Sequence, residues 1–103
     1  MKQHLMYRKF IITDDGVLRF GIVYQHRELL EWGERCPYGG GLWEIDAQRG
    51  AVLLYGRSFA FGLPDFSNVS SVDWESIGVE PCTLLYMPEW PKGSTLQPVC
   101  VGL

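Results

Sequence analysis

The chain predicts an α+β domain: one mainly antiparallel β-sheet with one or two short helices packed on it. Three observations carry this. Two pairs of alternating or β-branched segments are each joined by a turn dipeptide or short loop, as in hairpins. The two helical segments are short. A last apolar run near the C-terminal end supplies a further buried strand, giving the order ββ-α-ββ-α-β.

The first pair begins with Tyr7 to Thr13, β-branched and aromatic, and stops at Asp14-Asp15-Gly16. Val17 to Tyr24 then alternates, with Leu18, Phe20, Ile22 and Tyr24 on one face and Val17, Arg19, Gly21 and Val23 on the other. Gln25 to Arg35 loses the alternation and reads as a short helix with Leu29, Leu30 and Trp32 as its buried stripe, ended by Gly33. Leu42 to Asp46 and Ala51 to Tyr55 form the second hairpin around Ala47-Gln48-Arg49-Gly50. Ser70 and Asp73 resemble a capping arrangement for a second short helix through Ile77, closed by Gly78. Cys82 to Met87 is the last strand. The patterned core therefore runs over about 7–87 of a single 1–103 domain, and Pro88, Pro91 and Pro98 mark 88–103 as an irregular tail.

A length of 103 residues allows one domain. With 47% hydrophobic and 20% charged residues there is enough apolar surface to offset the entropy of ordering, which excludes a disordered chain. The net charge of −3 and the lack of a basic cluster argue against nucleic acid as a partner. No run approaches the ~20 apolar residues of a membrane span, and Met1 to Phe10 is too polar for a signal peptide. Cys36, Cys82 and Cys100 match neither a disulfide framework nor a Cys-x-x-Cys site, and two histidines make a zinc site hard to build. The expectation is a cytoplasmic domain with no metal and no cofactor.

Chemistry concentrates in three places. The loop Tyr55-Gly56-Arg57-Ser58-Phe59-Ala60-Phe61-Gly62 sets a hydroxyl beside unpaired backbone N–H groups, which can form an anion nest. It reads equally as a strand end with glycines for turning and aromatics for the core. The triplet Gly39-Gly40-Gly41 permits close backbone approach or serves as a flexible connection, and no Lys-Ser or Lys-Thr follows it to make a Walker A loop. His26 follows a strand at a helix start, where a neutral imidazole can serve as nucleophile or base, or simply pack. Arg19 is either a solvated charge or an anion clamp.

Taken in order, these pieces resemble the phosphohistidine phosphatase (Janus/Ocnus) family over about 10–86. Asp15-Gly16-Val17-Leu18-Arg19 is similar to its turn leading to a basic strand residue, and His26-Arg27-Glu28-Leu29 to its histidine at a helix start. Cys36 with Gly39-Gly40-Gly41 matches its cysteine near a glycine triplet, and Tyr55 to Gly62 its Tyr-Gly-x-Ser-x-x-aromatic-Gly loop. The resemblance implies metal-independent removal of phosphate from phosphohistidine. His26 would be catalytic, and the Ser58 hydroxyl with the Ala60 N–H would cradle the phosphate. Arg57, Phe59 and Gly62 would complete that loop, and Arg19 would neutralise charge.

The chain departs from the family in having only six residues between Arg19 and His26. Fully extended, the pair would stand ~23 Å apart at ~3.3 Å per residue. Arg57 fills a position typically aromatic. The implied partner is a phosphorylated protein or a small phosphoramidate. The alternative is a non-enzymatic interaction or ligand-binding domain on the same scaffold, with a sheet edge exposed for a homodimer.

Overall fold

The fold was described from a computed structural model, which covers residues 6–87 and 99–100. Seven strands lie in one sheet: β1 (Tyr7–Ile12), β2 (Val17–Val23), β3 (Gly40–Asp46), β4 (Ala51–Tyr55), β5 (Ser71–Val72), β6 (Thr83–Met87) and β7 (Val99–Cys100). Their spatial order is β5-β2-β1-β3-β4-β6-β7.

Both predicted hairpins are present. β1 and β2 pair antiparallel, with Phe10 opposite Phe20 and Ile12 opposite Leu18. Gly16 turns between them at φ +78°, a backbone conformation that suits glycine. β3 and β4 pair from Leu42–Tyr55 to Asp46–Ala51, and β1 joins the hairpins through β3.

The sheet is mixed, which corrects the mainly antiparallel expectation. β2 pairs parallel with β5, and β4 pairs parallel with β6. Alternation reports which face a side chain takes, not which way its neighbouring strand runs, so sequence pattern could not supply these directions. The chain leaving β4 crosses one face of the sheet and returns beside β4 as β6.

That crossing segment covers the larger core. Phe10, Ile12, Leu18, Phe20, Trp43, Val52, Leu54 and Leu84 are buried together, with Phe66, Val69, Val72, Trp74 and Ile77 packed over them. Phe20 meets Trp43 edge-on at 5.8 Å, a favoured aromatic arrangement. On the opposite face lies a smaller cluster of Ile11, Leu29 and Cys36, joined by Phe61.

The expected helices are reduced to turns. Among the described residues only 3-10 turns occur, at His26–Leu29, Phe66–Asn68 and Trp74–Ser76. In the first segment, carboxylates close on nearby amides: Glu28 Oε2 accepts from Gln25 N, and Glu34 Oε1 from Glu31 N. The Glu28 bond is half of a capping box, which favours a helical start. Gly33 at φ +84° interrupts the run. The predicted apolar stripe splits accordingly: Leu29 is buried, while Trp32 is 101% exposed. In the second segment, Ser71–Val72 pairs with β2, and Asp73 makes no side-chain cap.

Among the described residues no helix is long and apolar enough to cross a membrane. Of the tail, Val99–Cys100 forms β7 against β6; the irregular course expected around Pro88, Pro91 and Pro98 lies outside the described residues.

Candidate functional site

The glycine triplet organises the site through close packing. A Cβ on Gly39 would stand 2.0 Å from the Leu63 carbonyl oxygen, one on Gly40 2.3 Å from that of Phe10, and one on Gly41 2.5 Å from that of Tyr55. These are backbone atoms, of β1 and β4 for Gly40 and Gly41 and of the loop after β4 for Gly39, so no side chain fits. Of the two readings of the triplet, close approach is the one observed.

His26 rests on this surface. Its 3-10 turn follows directly from the end of β2, fixed by Glu28 N–H donating to the Gln25 carbonyl at 3.1 Å. The ring lies over Gly40, where a Cβ would meet its Cδ2 at 3.3 Å. Nε2 is 2.7 Å from the Gly41 carbonyl oxygen. A carbonyl only accepts, so Nε2 carries the proton and Nδ1 keeps its lone pair. His26 is only 8% exposed. Among the described residues no side-chain nitrogen or oxygen is both buried and unpartnered, and Nδ1 has no hydrogen bond, so Nδ1 reaches solvent. Burial holds the imidazole pKa below its ordinary range, against the Gly41 bond, and the Lys9 charge adds to the lowering. The ring is neutral near pH 7.

The loop after β4 is clamped to the same triplet. Ser58 N–H donates to the Gly62 carbonyl at 3.2 Å and Gly62 N–H to the Ser58 carbonyl at 2.8 Å, while Gly40 N–H also donates to Gly62 O at 3.3 Å. Ser58 is 1% exposed, and its Oγ accepts from Phe61 N–H at 3.1 Å. The hydroxyl thus shapes the turn from inside and does not line the cleft described next. At the tip the amides of Phe59 and Ala60 donate to no group of the described protein.

Between the turn and the loop lies a cleft of about 620 Å³. Tyr7, Lys9 and Leu42 form its floor, Gln25, His26 and Arg27 one wall, and Arg57, Phe59 and Ala60 another. Lys9 faces Leu42 across the β1–β3 pair, and its ammonium donates to the Tyr24 carbonyl. Among the described residues three cations border the cleft and no carboxylate does, although the chain as a whole carries −3.

His26, Arg57, Phe59 and Ala60 are therefore brought to one cavity, whereas Arg19 is not among its walls. The Arg19 guanidinium bonds to Glu34 at 2.5 Å, Glu31 at 3.1 Å and the Leu29 carbonyl at 3.1 Å, and stands 3.5 Å from Asp73. It ties the His26 turn and the following segment to β2. The extended-chain separation is relieved by the turn folding back, but towards Leu29. Gly62 serves as a hinge of the loop at φ +87°.

Sequence reasoning missed Lys9, Arg27, Tyr7 and Leu42. Alternation within Tyr7 to Ile12 offered one signal, since it places Tyr7 and Lys9 on the Ile11 face. Among the described residues no three His, Cys, Asp or Glu side chains gather to hold a metal ion. No protein family, curated protein or solved structure matches the chain.

Proposed function

We propose that this protein is a metal-independent phosphohistidine phosphatase-like protein that binds and hydrolyses a phosphoryl group carried on protein histidine. The observation that carries the reading is a neutral histidine with a free Nδ1 lone pair at a cleft bordered by Lys9, Arg27 and Arg57. Phosphoryl transfer asks chiefly for positioning and for compensation of the equatorial oxygens. Lys9 and the Phe59 and Ala60 amides supply that compensation, with the positive field of Arg27 and Arg57 at the rim. His26 Nδ1 takes a proton from water as its oxygen attacks phosphorus. The P–N bond breaks, and the proton passes to the departing imidazole nitrogen. The Gly41 carbonyl keeps the ring in the tautomer this requires.

Turnover of a phosphohistidine peptide by the purified chain, beside His26→Ala, tests the reading. Wild type is expected to release phosphate and the variant to release none while keeping its circular dichroism spectrum. An inert wild type, or an equally active variant, rejects it.

A non-enzymatic interaction domain is the second reading, and one observation favours it. β5 covers β2 only at Val17 and Leu18, and beyond Phe20, whose N–H donates to Ser76 Oγ, no strand among the described residues lies beside the outer edge of β2, where Ile22 is 54% exposed. A second copy pairing at this edge would appear in light scattering as a mass that rises with concentration; a constant monomer mass argues against it.

A further inference from the structure

The cleft is open at its sides. It shares Gln25 and Arg27 with a depression that also touches Tyr24 and Glu28, and Tyr7 and Leu42 with another bordered by Met6, Arg8, Ile22 and Glu44. The depression beyond Gln25 and Arg27 adjoins the cleft and gives more room than a small phosphoramidate needs, whereas the one beyond Tyr7 and Leu42 also takes Trp43 and Arg8, which stack together on the other face of the sheet. Charge is unequal across them. Two carboxylates, Glu28 and Glu44, lie in the side depressions, and Glu28 is bonded to the Gln25 amide. Among the described residues the central part holds Lys9, Arg27 and Arg57 as its charged groups.

That is more positive charge than a phosphoryl group of about −1.5 to −2 balances. Lys9 is turned to Tyr24 O. Arg27 and Arg57 are exposed and have no carboxylate partner among the described residues. Arg19 takes three carboxylates and Arg49 takes Asp46, while Arg8 lies over the Trp43 ring; Arg8 and Arg35, like Arg27 and Arg57, have no carboxylate partner among the described residues, but neither borders the cleft. We infer that the cleft receives its phosphoryl group on an extended polypeptide segment with acidic residues beside the modified histidine, and that Arg27 and Arg57 select those acids. The inference rests on the phosphatase reading above and names the sequence context of its substrate.

Three synthetic peptides with a central histidine flanked by Glu, Ala or Lys test it, each in free and phosphorylated form. Binding of the free forms is read by fluorescence anisotropy, and turnover of the phosphorylated forms by phosphate release. The Glu peptide is expected to bind about fivefold tighter than the Ala peptide, the size that two exposed ion pairs allow. The Lys peptide binds weakest, and the preference shrinks as salt is raised. Arg57→Glu, or Arg27→Glu should the first variant fail to fold, reverses the order. Equal binding and turnover of all three peptides overturns the inference and leaves the phosphatase reading standing. An acidic preference in binding without any turnover supports the recognition and rejects the phosphatase reading instead.

Discussion

His26 donates its Nε2–H to the carbonyl of Gly41 at 2.7 Å, while Gly40, one residue earlier, donates its amide to the carbonyl of Gly62 at 3.3 Å. One short stretch at the start of β3 therefore positions the histidine on one side and the free-amide loop on the other. The site's geometry is set by backbone atoms of the sheet, which makes it rigid without a network of polar side chains. Substitution there is expected to disturb fold and site together.

Gly40→Ala is the sharpest such substitution. The new methyl would press against the Phe10 carbonyl and the His26 ring, and the carbonyl cannot yield without breaking the β1–β3 pairing. Overpacking of this kind costs about 2 kcal/mol. A lower urea midpoint with an unchanged slope is expected, together with a shifted His26 ring resonance. Wild-type stability in this variant would show that the sheet opens more easily than the packing implies.

The Arg19 cluster anchors the segment that carries His26. Arg19→Met removes the partner of Glu34 and the donor to Leu29 O, and losing charged hydrogen bonds that are partly buried costs about 2 kcal/mol. The Glu34 carboxyl lies below its ordinary range, chiefly through its hydrogen bond to Arg19, against the opposing effect of burial. A lowered carboxyl contributes stability that is present above its unfolded value of 4.5 and is lost as pH falls through the folded value. Urea titrations from neutral pH down to about 3 should show wild type losing more stability than Arg19→Met. Parallel curves would assign the acid sensitivity to other groups.

His26 titrates in the other accessible window. Its folded value is held below 6.5, first by burial, so the unfolded chain binds the proton more readily. Stability is expected to be complete above 6.5 and to fall as pH drops towards the folded value. Ring resonances followed by NMR should give a midpoint for His26 below that of an exposed histidine, and any turnover should fade over the same range. A midpoint at or above 6.5 contradicts the buried, singly bonded ring.

What could be read from sequence follows the physics of each signal. Turn chemistry and alternation located both hairpins, because Asp14-Asp15-Gly16 and the faces of Val17 to Tyr24 are local properties. The Gln25 to Arg35 segment had helix formers and a capping box but lacked packing to reward a helix: Trp32 faces solvent, and Gly33 at φ +84° breaks the run. His26, Arg57, Phe59 and Ala60 meet at one cleft because the triplet joins their two segments, and glycines at least marked where chains come close. Lys9 carries no motif, and Arg27 sits in one that gives it no role of its own. Ser58 looked like a ligand because a hydroxyl in a glycine loop can turn either way, and only the three-dimensional fold shows its bond to Phe61 N–H.

The loop gives the most direct test of anion binding, since its free donors are few and known. Phe59 and Ala60 present unpaired amides at the tip, whereas Ser58 and Gly62 amides bond to each other's carbonyls and Phe61 N–H is taken by Ser58 Oγ. Inorganic phosphate added to about tens of millimolar, the range for an affinity of about 3 kcal/mol, should therefore move the Phe59 and Ala60 amide resonances and leave those of Ser58 and Gly62 nearly fixed. Arg57 adds charge at the same rim, so Arg57→Gln should weaken the response. Ser58→Ala acts differently: it leaves Phe61 N–H without its acceptor, costing about 1–2 kcal/mol of stability, and reduces phosphate affinity far less than Arg57→Gln does. Fixed Phe59 and Ala60 resonances, or a loss of binding in Ser58→Ala as large as in Arg57→Gln, would show that anions do not bind at the tip in the way its geometry supports.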